Sequence, residues 1–454
     1  MDPAISKYLI QYPYYCLTGQ RLKSLIRQFE KSQWDSYEVL QEIQWKRLKL
    51  LLRYVYENIP FYRKQFQNTR LHPNDINTKD DLLNIPVLTR ESIKNNFEEL
   101  KCTTKRLKEF PRETSGSSGS PLRLIKDSIS LATMDAIMYR NYSWFGIDIG
   151  QKQARYWGSS LDGLGKVKVK LRDFLLNRIR FSPFDLSEKA YDRFIVRLNR
   201  FKPVFVYGYS QTIYEFSNHI MRKGTDFPNL KFKAVILTGE MISDDQIKTI
   251  EDAFKCDISN EYGCTEVGII AMECPCKGMH LMIENLLIEF VKDGKHVLPG
   301  EEGEIIVTEL YGNLMPLIRY QVGDIGSPID KLCQCGRGLP LLGRLKGRID
   351  EFIICPDGKQ VDPIVFEYIL KEIPSKYGRI EQFRIIQESV SKLNIEVRYG
   401  GDEPEVMLGK IERKLKKVIG GEFEINFRLA DYIPVEASGK LRCFISHTEG
   451  GNNL

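Results

Sequence analysis

Between positions 203 and 263 the sequence alternates short apolar runs with longer segments of helical spacing. The apolar runs are PVFVYGYS, FKAVILTGE and DISNEYG, and the segments that separate them are QTIYEFSNHIMRK and DDQIKTIEDAF. Such alternation is typical of a mostly parallel sheet covered by helices. This stretch therefore predicts an α/β fold, and the rest of the chain must be built around it.

The flanking segments predict further parts of the same domain. Apolar residues recur at helical spacing over residues 20–62, and Pro60 ends this pattern, which predicts a helical opening over about residues 1–100. Thr89 is placed to cap a helix in LTRESIKNNFEEL. From Leu286 onward, short strands such as LLIEFV, GEIIVTEL and LIRYQVG, separated by DGK and GEEG turns, predict an antiparallel subdomain.

The C-terminal part has a self-contained pattern. A hairpin (EFIICPDGKQV), a helix (IVFEYILKEI), two strands (FRIIQES and LNIEVRY) and a second helix (VMLGKIERKLKKVI) precede a tail with SGKLR. This order predicts a small α+β domain of ordinary size. We therefore expect a large domain over residues 1–349, with its antiparallel part over about 270–345, and a small domain over 350–454.

Composition excludes several classes of protein. The chain has 454 residues, 42% of them hydrophobic, and 66 basic against 60 acidic residues give a net charge of +6, which is small for this length. We see neither a signal peptide nor 18 consecutive apolar residues, so we expect a cytoplasmic protein with no nucleic-acid or membrane partner. The basic run KVKVKLRDFLLNRIRF at 166–181 is interpreted as a solvated face, although it could receive an anionic substrate. Ten cysteines in a reducing compartment are free thiols or metal ligands.

The segment TSGSSGSP at 114–121 predicts a phosphate-binding loop. Small residues let backbone amides approach an anion closely, and hydroxyl groups add donors without bulk. Taken alone, a flexible serine-glycine surface loop is the more common explanation. It is not a Walker A loop, because Ser120, Pro121 and Leu122 follow Gly119 where that motif has lysine.

Further motifs follow downstream in a characteristic order. They are NEYGCTE at 260–266, YQVGD at 320–324, GRIDE at 347–351 and SGKLR at 438–442. With the loop, this series resembles the adenylate-forming superfamily of acyl-CoA synthetases, peptide-synthetase adenylation domains and luciferases. NIPFYR at 58–63 and IPVLTRESIKNNF at 85–97 resemble its phenylacetate-CoA ligase branch, especially the capsular-polysaccharide-biosynthesis relatives. The resemblance covers nearly the whole chain.

The resemblance implies an ATP site built from these motifs. The residues that it assigns to ATP or AMP are Thr114, Ser115, Gly116, Ser117, Ser118, Gly119, Gly239, Glu240, Glu261, Tyr262, Gly263, Thr265, Asp324 and Arg348. The loop would hold the phosphates, Tyr262 would stack on the adenine and Thr265 would bind phosphate. Glu266 would hold Mg²⁺, which fits the preference of a hard cation for carboxylate oxygen. Asp324 would accept hydrogen bonds from the ribose hydroxyls.

The resemblance also implies a moving C-terminal domain. Arg348 would contact the ribose, unless the family motif aligns with Arg344 instead. Asp350 would be the hinge about which the small domain turns between two half-reactions. Lys440 would stabilise the charge that develops during adenylation, together with Glu266 and Thr265 as the catalytic set.

One position departs from the family pattern. Many members carry a lysine just after the phosphate loop, where this chain has Leu122; either Arg123 or Lys126 would substitute for it, or the loop would close differently.

Two thiol-rich segments predict a metal site. ECPCKGMH and CQCGRG group cysteines and a histidine at tight turns, which suits tetrahedral zinc. The resemblance implies a structural zinc held by Cys274, His280, Cys333 and Cys335, with Cys276 as the spare thiol. Four protein ligands would leave no open position, so the role would be bracing.

The resemblance implies a two-step ligase. A small-molecule or saccharide carboxylic acid would attack Mg·ATP, leaving an acyl-adenylate and pyrophosphate, and coenzyme A would then displace AMP to give a thioester. An amine acceptor and an amide product stay open, and so does a catalytically silent nucleotide-binding scaffold. Segments 156–163 and 206–211 would line the acid pocket with Trp157, Tyr207, Gly208 and Tyr209. The identity of the acid and the oligomeric state are not assigned.

Overall fold

The structure is a computed structural model that describes most of the chain. The described residues are 1–104, 107–113, 122–157, 164–181, 187–224, 227, 230–348, 353–357, 360–361, 366, 369, 379–401, 403–420, 423–434 and 443–447. They form two compact units, a larger one with residues 1–322 and 326–345 and a smaller one with 323–325 and the described residues after 345. The predicted domain boundary at 349/350 lies outside the described residues and stays a prediction.

The larger unit opens with helices. In chain order these are a π-helical segment (Ile5–Gln11), α1 (Tyr12–Leu17), α2 (Leu22–Ser32), α3 (Tyr37–Asn58), α4 (Pro60–Asn68), two 3₁₀ segments (Pro73–Asp75 and Asp80–Asn84) and α5 (Arg90–Asn95). Pro60 follows α3 as expected, but it also begins α4, because the first helical position needs no backbone N–H. The predicted cap of α5 is confirmed, since the Thr89 hydroxyl accepts a hydrogen bond from the Ser92 backbone N–H at 3.1 Å.

A twelve-stranded sheet forms the centre of this fold, beside a small hairpin of β1 (Phe110–Glu113) and β2 (Arg123–Lys126). Its strands, in spatial order, are β11 (Lys295–His296), β10 (Leu286–Lys292), β12 (Gly303–Glu309), β13 (Tyr320–Ile329), β14 (Leu341–Arg348), β9 (Met279–Leu281), β8 (Gly268–Glu273), β7 (Asp257–Cys264), β6 (Ala234–Thr238), β5 (Phe205–Tyr209), β3 (Gln153–Tyr156) and β4 (Arg178–Phe181).

Strands β4, β3, β5, β6 and β7 are parallel, which confirms the prediction from the alternating pattern. From β7 onward the chain returns in antiparallel pairs, β7 with β8, β8 with β9 and β10 with β12. The predicted antiparallel strands are therefore present as a continuation of the same sheet. Helix α6 (Ser128–Ser143) precedes β3, and four helices connect the parallel strands, namely α7 (Leu164–Leu175), α8 (Glu188–Phe201), α9 (Ser210–Lys223) and α10 (Asp244–Phe254).

Alternate residues of the parallel strands enter two separate hydrophobic clusters. Phe205 and Tyr207 of β5 pack in one cluster with the opening helices, whereas Val206 packs in the other. This is the two-residue period of a strand buried on both faces, and it explains why these strands are almost continuously apolar.

The smaller unit has its own sheet and core. Its described elements are β15 (Ile353–Ile354), β16 (Gln360–Val361), β17 (Arg379–Ser389), β18 (Lys392–Gly400), α11 (Pro404–Ile419), β19 (Glu424–Leu429) and β20 (Phe444–Ser446). Four strands form a sheet in the order β19-β18-β17-β20, with Ile385 and Ile395 packed against Ile411 and Leu415 of α11. The predicted small α+β fold is thus confirmed. Of its predicted first helix, only Phe366 and Ile369 are described.

Within the described parts of the chain, no helix combines the length and the apolar character that crossing a membrane requires.

Candidate active site and metal centre

The carboxyl end of β7 brings together most of the described ATP-site candidates. Glu261, Tyr262 and Gly263 lie in this last parallel strand, and Thr265 and Glu266 lie in the turn to β8. A Cβ at Gly263 would lie 2.3 Å from the Gly268 carbonyl oxygen, so only glycine fits there. Tyr262 is partly exposed and Thr265 is exposed. The carboxyl edge of a parallel sheet is where such folds bind ligands.

Glu266 is a buried carboxylate with two charged or polar partners. Its Oε1 lies 3.0 Å from Nη1 of Arg90, at the start of α5, and accepts a hydrogen bond from the Tyr320 hydroxyl at 2.9 Å. Burial raises the pKa of Tyr320, and the Glu266 charge raises it further, so this hydroxyl keeps its proton and remains a donor. Arg90 and Tyr320 therefore position the carboxylate that the family motif assigns to magnesium.

Glu261 is held by two tyrosines. Its carboxylate accepts hydrogen bonds from the hydroxyls of Tyr207 at 3.0 Å and Tyr142 at 3.3 Å. Burial raises the pKa of Glu261, while the Tyr207 hydroxyl and the charge of Arg155 oppose this rise. Glu261 thus fixes the orientation of Tyr207, one of the predicted acid-pocket residues.

The predicted acid-pocket aromatics form one cluster with a cation. The rings of Trp157 and Tyr209 stack with centroids 4.6 Å apart, and the Arg155 guanidinium lies 4.6 Å from the centroids of both Trp157 and Tyr207. Burial lowers the pKa of Arg155, and its buried Nε has no hydrogen-bond partner among the described residues. The cluster therefore offers an aromatic surface and a cation with unused hydrogen-bonding capacity.

Gly208 of β5 packs closely against the neighbouring strand β3. A Cβ at this position would lie 2.6 Å from the Tyr156 Cβ and 2.7 Å from its carbonyl oxygen. The missing side chain therefore allows β5 to lie close against β3, and the proposed place of Gly208 in the acid pocket stays a prediction.

Glu240 links the end of β6 to α9. Its carboxylate accepts a hydrogen bond from the Gln211 backbone N–H at 2.8 Å, and its carbonyl accepts one from the Ser210 hydroxyl at 3.1 Å. A carboxylate at a helix N-terminus is stabilised by the helix dipole. Gly239 precedes it with a φ of 83°, a left-handed conformation that favours glycine.

Four predicted zinc ligands converge in the larger unit. One ligand atom from each of Cys274, His280, Cys333 and Cys335 lies within 4.8 Å of every other. The Cys274 and Cys333 sulfurs are 3.6 Å apart, and Nε2 of His280 is 3.1 Å from the Cys335 sulfur. Cys276, the spare thiol, is exposed. Three thiols and an imidazole at these separations fit a tetrahedral zinc ion.

The surroundings of the cluster fix its histidine. Nδ1 of His280 donates to the Leu339 carbonyl at 2.9 Å, which leaves Nε2 as the coordinating atom. Burial lowers the pKa of His280 to about 4 and raises that of Cys274 to about 12. The imidazole is therefore neutral, as a metal ligand must be, while the thiol would need a cation to lose its proton.

Comparisons with known proteins show what the whole chain resembles. A family model described as the CapK C-terminal domain matches residues 353–447. A phenylacetate-coenzyme A ligase of Thermus thermophilus is 24% identical over 444 residues, which span 89% of this chain and 96% of the ligase. Protein CapK of Staphylococcus aureus is 21% identical over 415 residues, 90% of this chain and 89% of CapK.

The chain is thus similar, along most of its length, to phenylacetate-CoA ligases and to CapK. The fold agrees, because a crystal structure of 2-hydroxyisobutyryl-CoA ligase in the postadenylation state superposes with a TM-score of 0.71. The two sequences are 18% identical, and the match covers 89% of each chain. The sequence relatives confirm the resemblance to the phenylacetate-CoA ligase branch and to CapK, and the superposition confirms the predicted α/β architecture.

Several residues that the ligase resemblance assigns are not described in the structure. Thr114–Gly119, Asp350 and Lys440 lie outside the described residues, and so does the side chain of Arg348 at the end of β14. Asp324 lies in β13, and Arg344, the competing register, lies in β14. The roles of all these residues stay predictions.

Lys126 does not replace the lysine that ligase relatives carry after the phosphate loop. It is buried, with Nζ 2.6 Å from Oε2 of Glu309, and the Ser130 hydroxyl donates a hydrogen bond to Oε1 of the same carboxylate. A lysine that neutralises a buried carboxylate is not available to ATP, so this suggestion from the sequence is corrected. Arg123 is exposed on β2, with its guanidinium 5.9 Å from the Phe97 ring.

Proposed function

We propose that this chain is an AMP-forming ligase that activates a carboxylic acid with ATP and transfers it to coenzyme A. In the first step the acid carboxylate attacks the α-phosphorus of ATP and pyrophosphate leaves. In the second step the thiol of coenzyme A attacks the acyl carbonyl of the adenylate and AMP leaves. The observation that carries the proposal is the similarity to a phenylacetate-CoA ligase along 96% of that enzyme's length.

The end of β7 would hold the nucleotide. The partly exposed ring of Tyr262 would stack on adenine, and the exposed Thr265 hydroxyl would donate to a phosphate oxygen. Glu266 has the carboxylate oxygen that Mg²⁺ prefers, and a bound Mg²⁺ would neutralise charge on the phosphates. Arg90 and Tyr320 would hold this carboxylate in place.

The remaining ATP-site residues are proposed from their order along the chain. Residues 114–119 would donate hydrogen bonds to the phosphates, Asp324 and Arg348 would bind the ribose, and Lys440 would stabilise charge at the reacting phosphorus. Asp350 would absorb the rotation of the C-terminal domain between the two steps.

The acid would bind beside the aromatic cluster. Trp157, Tyr207 and Tyr209 would contact its apolar part, and the cation of Arg155 would attract its carboxylate before adenylation. The acid itself, a small molecule or a saccharide, is left open.

We further propose that the four-ligand cluster binds a structural zinc ion. Cys274 directly follows β8 and His280 lies in β9, whereas Cys333 and Cys335 lie between β13 and β14. A zinc ion would tie these two connections together, and four protein ligands would leave no position for a substrate.

An amide-forming ligase is the second candidate. The CapK C-terminal match covers residues 353–447, the domain that would turn between the two half-reactions. The same adenylate would then be attacked by an amine instead of a thiol.

Product analysis separates these candidates. The chain would be incubated with Mg·ATP, a panel of aromatic, aliphatic and sugar acids, and either coenzyme A or amines, and the products weighed by mass spectrometry. We expect a thioester with at least one acid. Amides without any thioester would establish the second candidate, and AMP formation with neither acceptor would disprove both transfers. Absence of any acid-dependent AMP would favour the silent scaffold.

A further inference from the structure

Exposed apolar side chains cluster on a part of the larger unit that the proposed chemistry does not use. They belong to the N-terminal segment and to α7, and we call them the apolar edge. Its members are Ile5, Tyr8, Leu9, Tyr14, Leu17, Val167, Leu171 and Phe174, each between 45% and 86% exposed. So many large apolar groups facing solvent in two neighbouring helical segments indicate an interaction surface.

The two segments are in contact, so the apolar edge is continuous. The Ser6 hydroxyl donates to the Leu175 carbonyl at 3.0 Å, and the Asn177 side chain donates to the Met1 carbonyl at 3.0 Å. A Cβ at Gly150 would lie 2.3 Å from the Pro3 carbonyl, which shows how closely the segment is packed. The N-terminal segment is therefore a fixed part of the surface.

The packing of α7 turns one apolar face outward. Asp173 is buried and pairs with Arg180 of β4 at 2.8 Å, which orients the helix. Val167, Leu171 and Phe174 are spaced i, i+4 and i+7, so they form a single stripe on the exposed side.

The charges beside this stripe are positive. Lys170 and Arg172 are exposed on α7, and the only carboxylate of the helix is Asp173, which is already paired. In the sequence from Met1 to Phe29 the only acidic residue is Asp2. Apolar groups and tyrosines bordered by cations are typical of helices that lie in a membrane interface.

We propose that the apolar edge docks on the surface of an anionic lipid bilayer. The apolar side chains enter the interface, and Lys170 and Arg172 face the negatively charged headgroups. The helix α7 has 12 residues, too few to cross the hydrocarbon, so it lies in the plane of the membrane. A second copy of the chain is a poorer occupant, because pairing two such stripes would bring their cations together.

This inference revises the expectation that the chain has no membrane partner. The net charge of +6 averages over the whole sequence, whereas four of the 12 residues of α7 are basic and one is acidic. The interpretation of residues 166–181 as a solvated face is revised likewise, because the exposed face of α7 carries Val167, Leu171 and Phe174.

Vesicle flotation with the full chain tests the proposal. The probes are phosphatidylcholine vesicles with and without phosphatidylglycerol, at low and high salt. We expect binding only with phosphatidylglycerol, weakened by salt because exposed charges are screened. Lys170→Glu with Arg172→Glu should reduce binding more than tenfold, since each cation near an anionic surface contributes about fivefold. Leu171→Ser with Phe174→Ser should reduce it by a similar factor.

Matched control variants distinguish docking through the apolar edge from an effect that any exposed apolar side chain would have. Val196 and Leu298 are 67% and 68% exposed outside the apolar edge, so Val196→Ser with Leu298→Ser should bind vesicles like the wild type. The thermal unfolding midpoint of every variant is measured to show that it folds.

Three results would overturn the proposal. They are equal binding to both kinds of vesicle, binding to neither, and binding that the α7 substitutions leave unchanged. In analytical ultracentrifugation, a dimer that Leu171→Ser with Phe174→Ser dissociates would identify a second copy as the occupant instead. Failure of the ligase proposal would leave the vesicle result unaffected.

Discussion

At the residue scale, the most informative contacts are the two that hold Glu266. Arg90 is 176 positions away in the sequence, yet its guanidinium and the Tyr320 hydroxyl both meet the same carboxylate oxygen. A buried carboxylate is stable only when it is paired and hydrogen-bonded. The structure therefore places a paired and hydrogen-bonded carboxyl group at the carboxyl edge of the sheet, where the proposed magnesium nucleotide would bind.

Replacing Glu266 with glutamine tests this role. The change keeps the shape of the side chain and removes its charge, so the Mg²⁺ concentration for half-maximal activity should rise and adenylation should slow on the order of 100-fold. Acid-dependent exchange of labelled pyrophosphate into ATP, followed as Mg²⁺ is varied, measures both. Glu251→Gln, at a partly exposed carboxylate on α10, is the matched control. An unchanged Mg²⁺ dependence would exclude Glu266 as the metal ligand.

Arg155 gives a second prediction at this scale. Arg155→Met preserves packing on Trp157 and Tyr207 but removes the cation. KM for the acid should therefore rise about 10- to 100-fold, because a charge-assisted hydrogen bond usually contributes a free energy of that size to binding. KM for ATP should change little. Arg197→Met is the control, because that arginine also lies over an aromatic ring, Phe181, but on an exposed surface. A loss confined to kcat would contradict a role in binding the acid.

At the scale of elements, the zinc cluster links two connections of the sheet. Next to it, the Gln33 side chain accepts hydrogen bonds from Trp144 at 2.8 Å and from Arg337 at 3.1 Å, which ties the end of α2 to the same region. The cluster thus sits where the opening helices meet the antiparallel strands, and a metal there would stabilise their junction.

Removing one proposed ligand should release the metal and lower stability. Wild-type chain should contain one zinc ion by elemental analysis, whereas Cys333→Ser should lose it and unfold at a Tm lower by about 10 °C. Cys276→Ser removes the exposed spare thiol and should keep both the zinc and the Tm. Wild-type chain purified without zinc, with a Tm insensitive to added zinc, would refute the site.

His296, in the short strand β11, predicts that the stability of the fold depends on pH. Its imidazole bridges Glu289 of β10, at 3.1 Å, and Asp80, at 3.2 Å. The hydrogen bond to Glu289 raises the pKa of His296 above 6.5. Because the folded state binds this proton more tightly, the stabilisation is complete below the unfolded pKa and is lost as pH rises through the folded pKa.

The Tm difference between wild type and His296→Gln should therefore shrink as pH rises from below 6.5 to alkaline values. Thermal unfolding across this range measures it. His447→Gln, at a histidine whose side chain is 56% exposed, is the control and should show a smaller effect. A difference that does not depend on pH would show that His296 is not the titrating group.

At the scale of the whole molecule, the sequence predicted what depends on local pattern. The alternation between 203 and 263 predicted β5, α9, β6, α10 and β7, and the Thr89 cap was visible because capping involves residues close in sequence. Cysteine spacing and the family resemblance predicted the ligands that now converge at one point.

The sequence could not predict which side chains pair when they are far apart along the chain. Lys126 and Glu309 are 183 positions apart, so no local spacing distinguishes this buried ion pair from a free lysine near the phosphate loop. The partners of Glu266 were missed for the same reason. The exposure of the apolar face of α7 could not be predicted either, because an amphipathic pattern does not indicate which face the rest of the fold covers.

The central claim is that the chain joins an organic acid to AMP, and pyrophosphate exchange tests it most directly. Labelled pyrophosphate, Mg·ATP and an acid panel are incubated with the chain without any acceptor, so that only the first half-reaction is measured. Label entering ATP only in the presence of a particular acid, and lost in Glu266→Gln, is the predicted result. No acid-dependent exchange with any member of a broad panel would contradict the account.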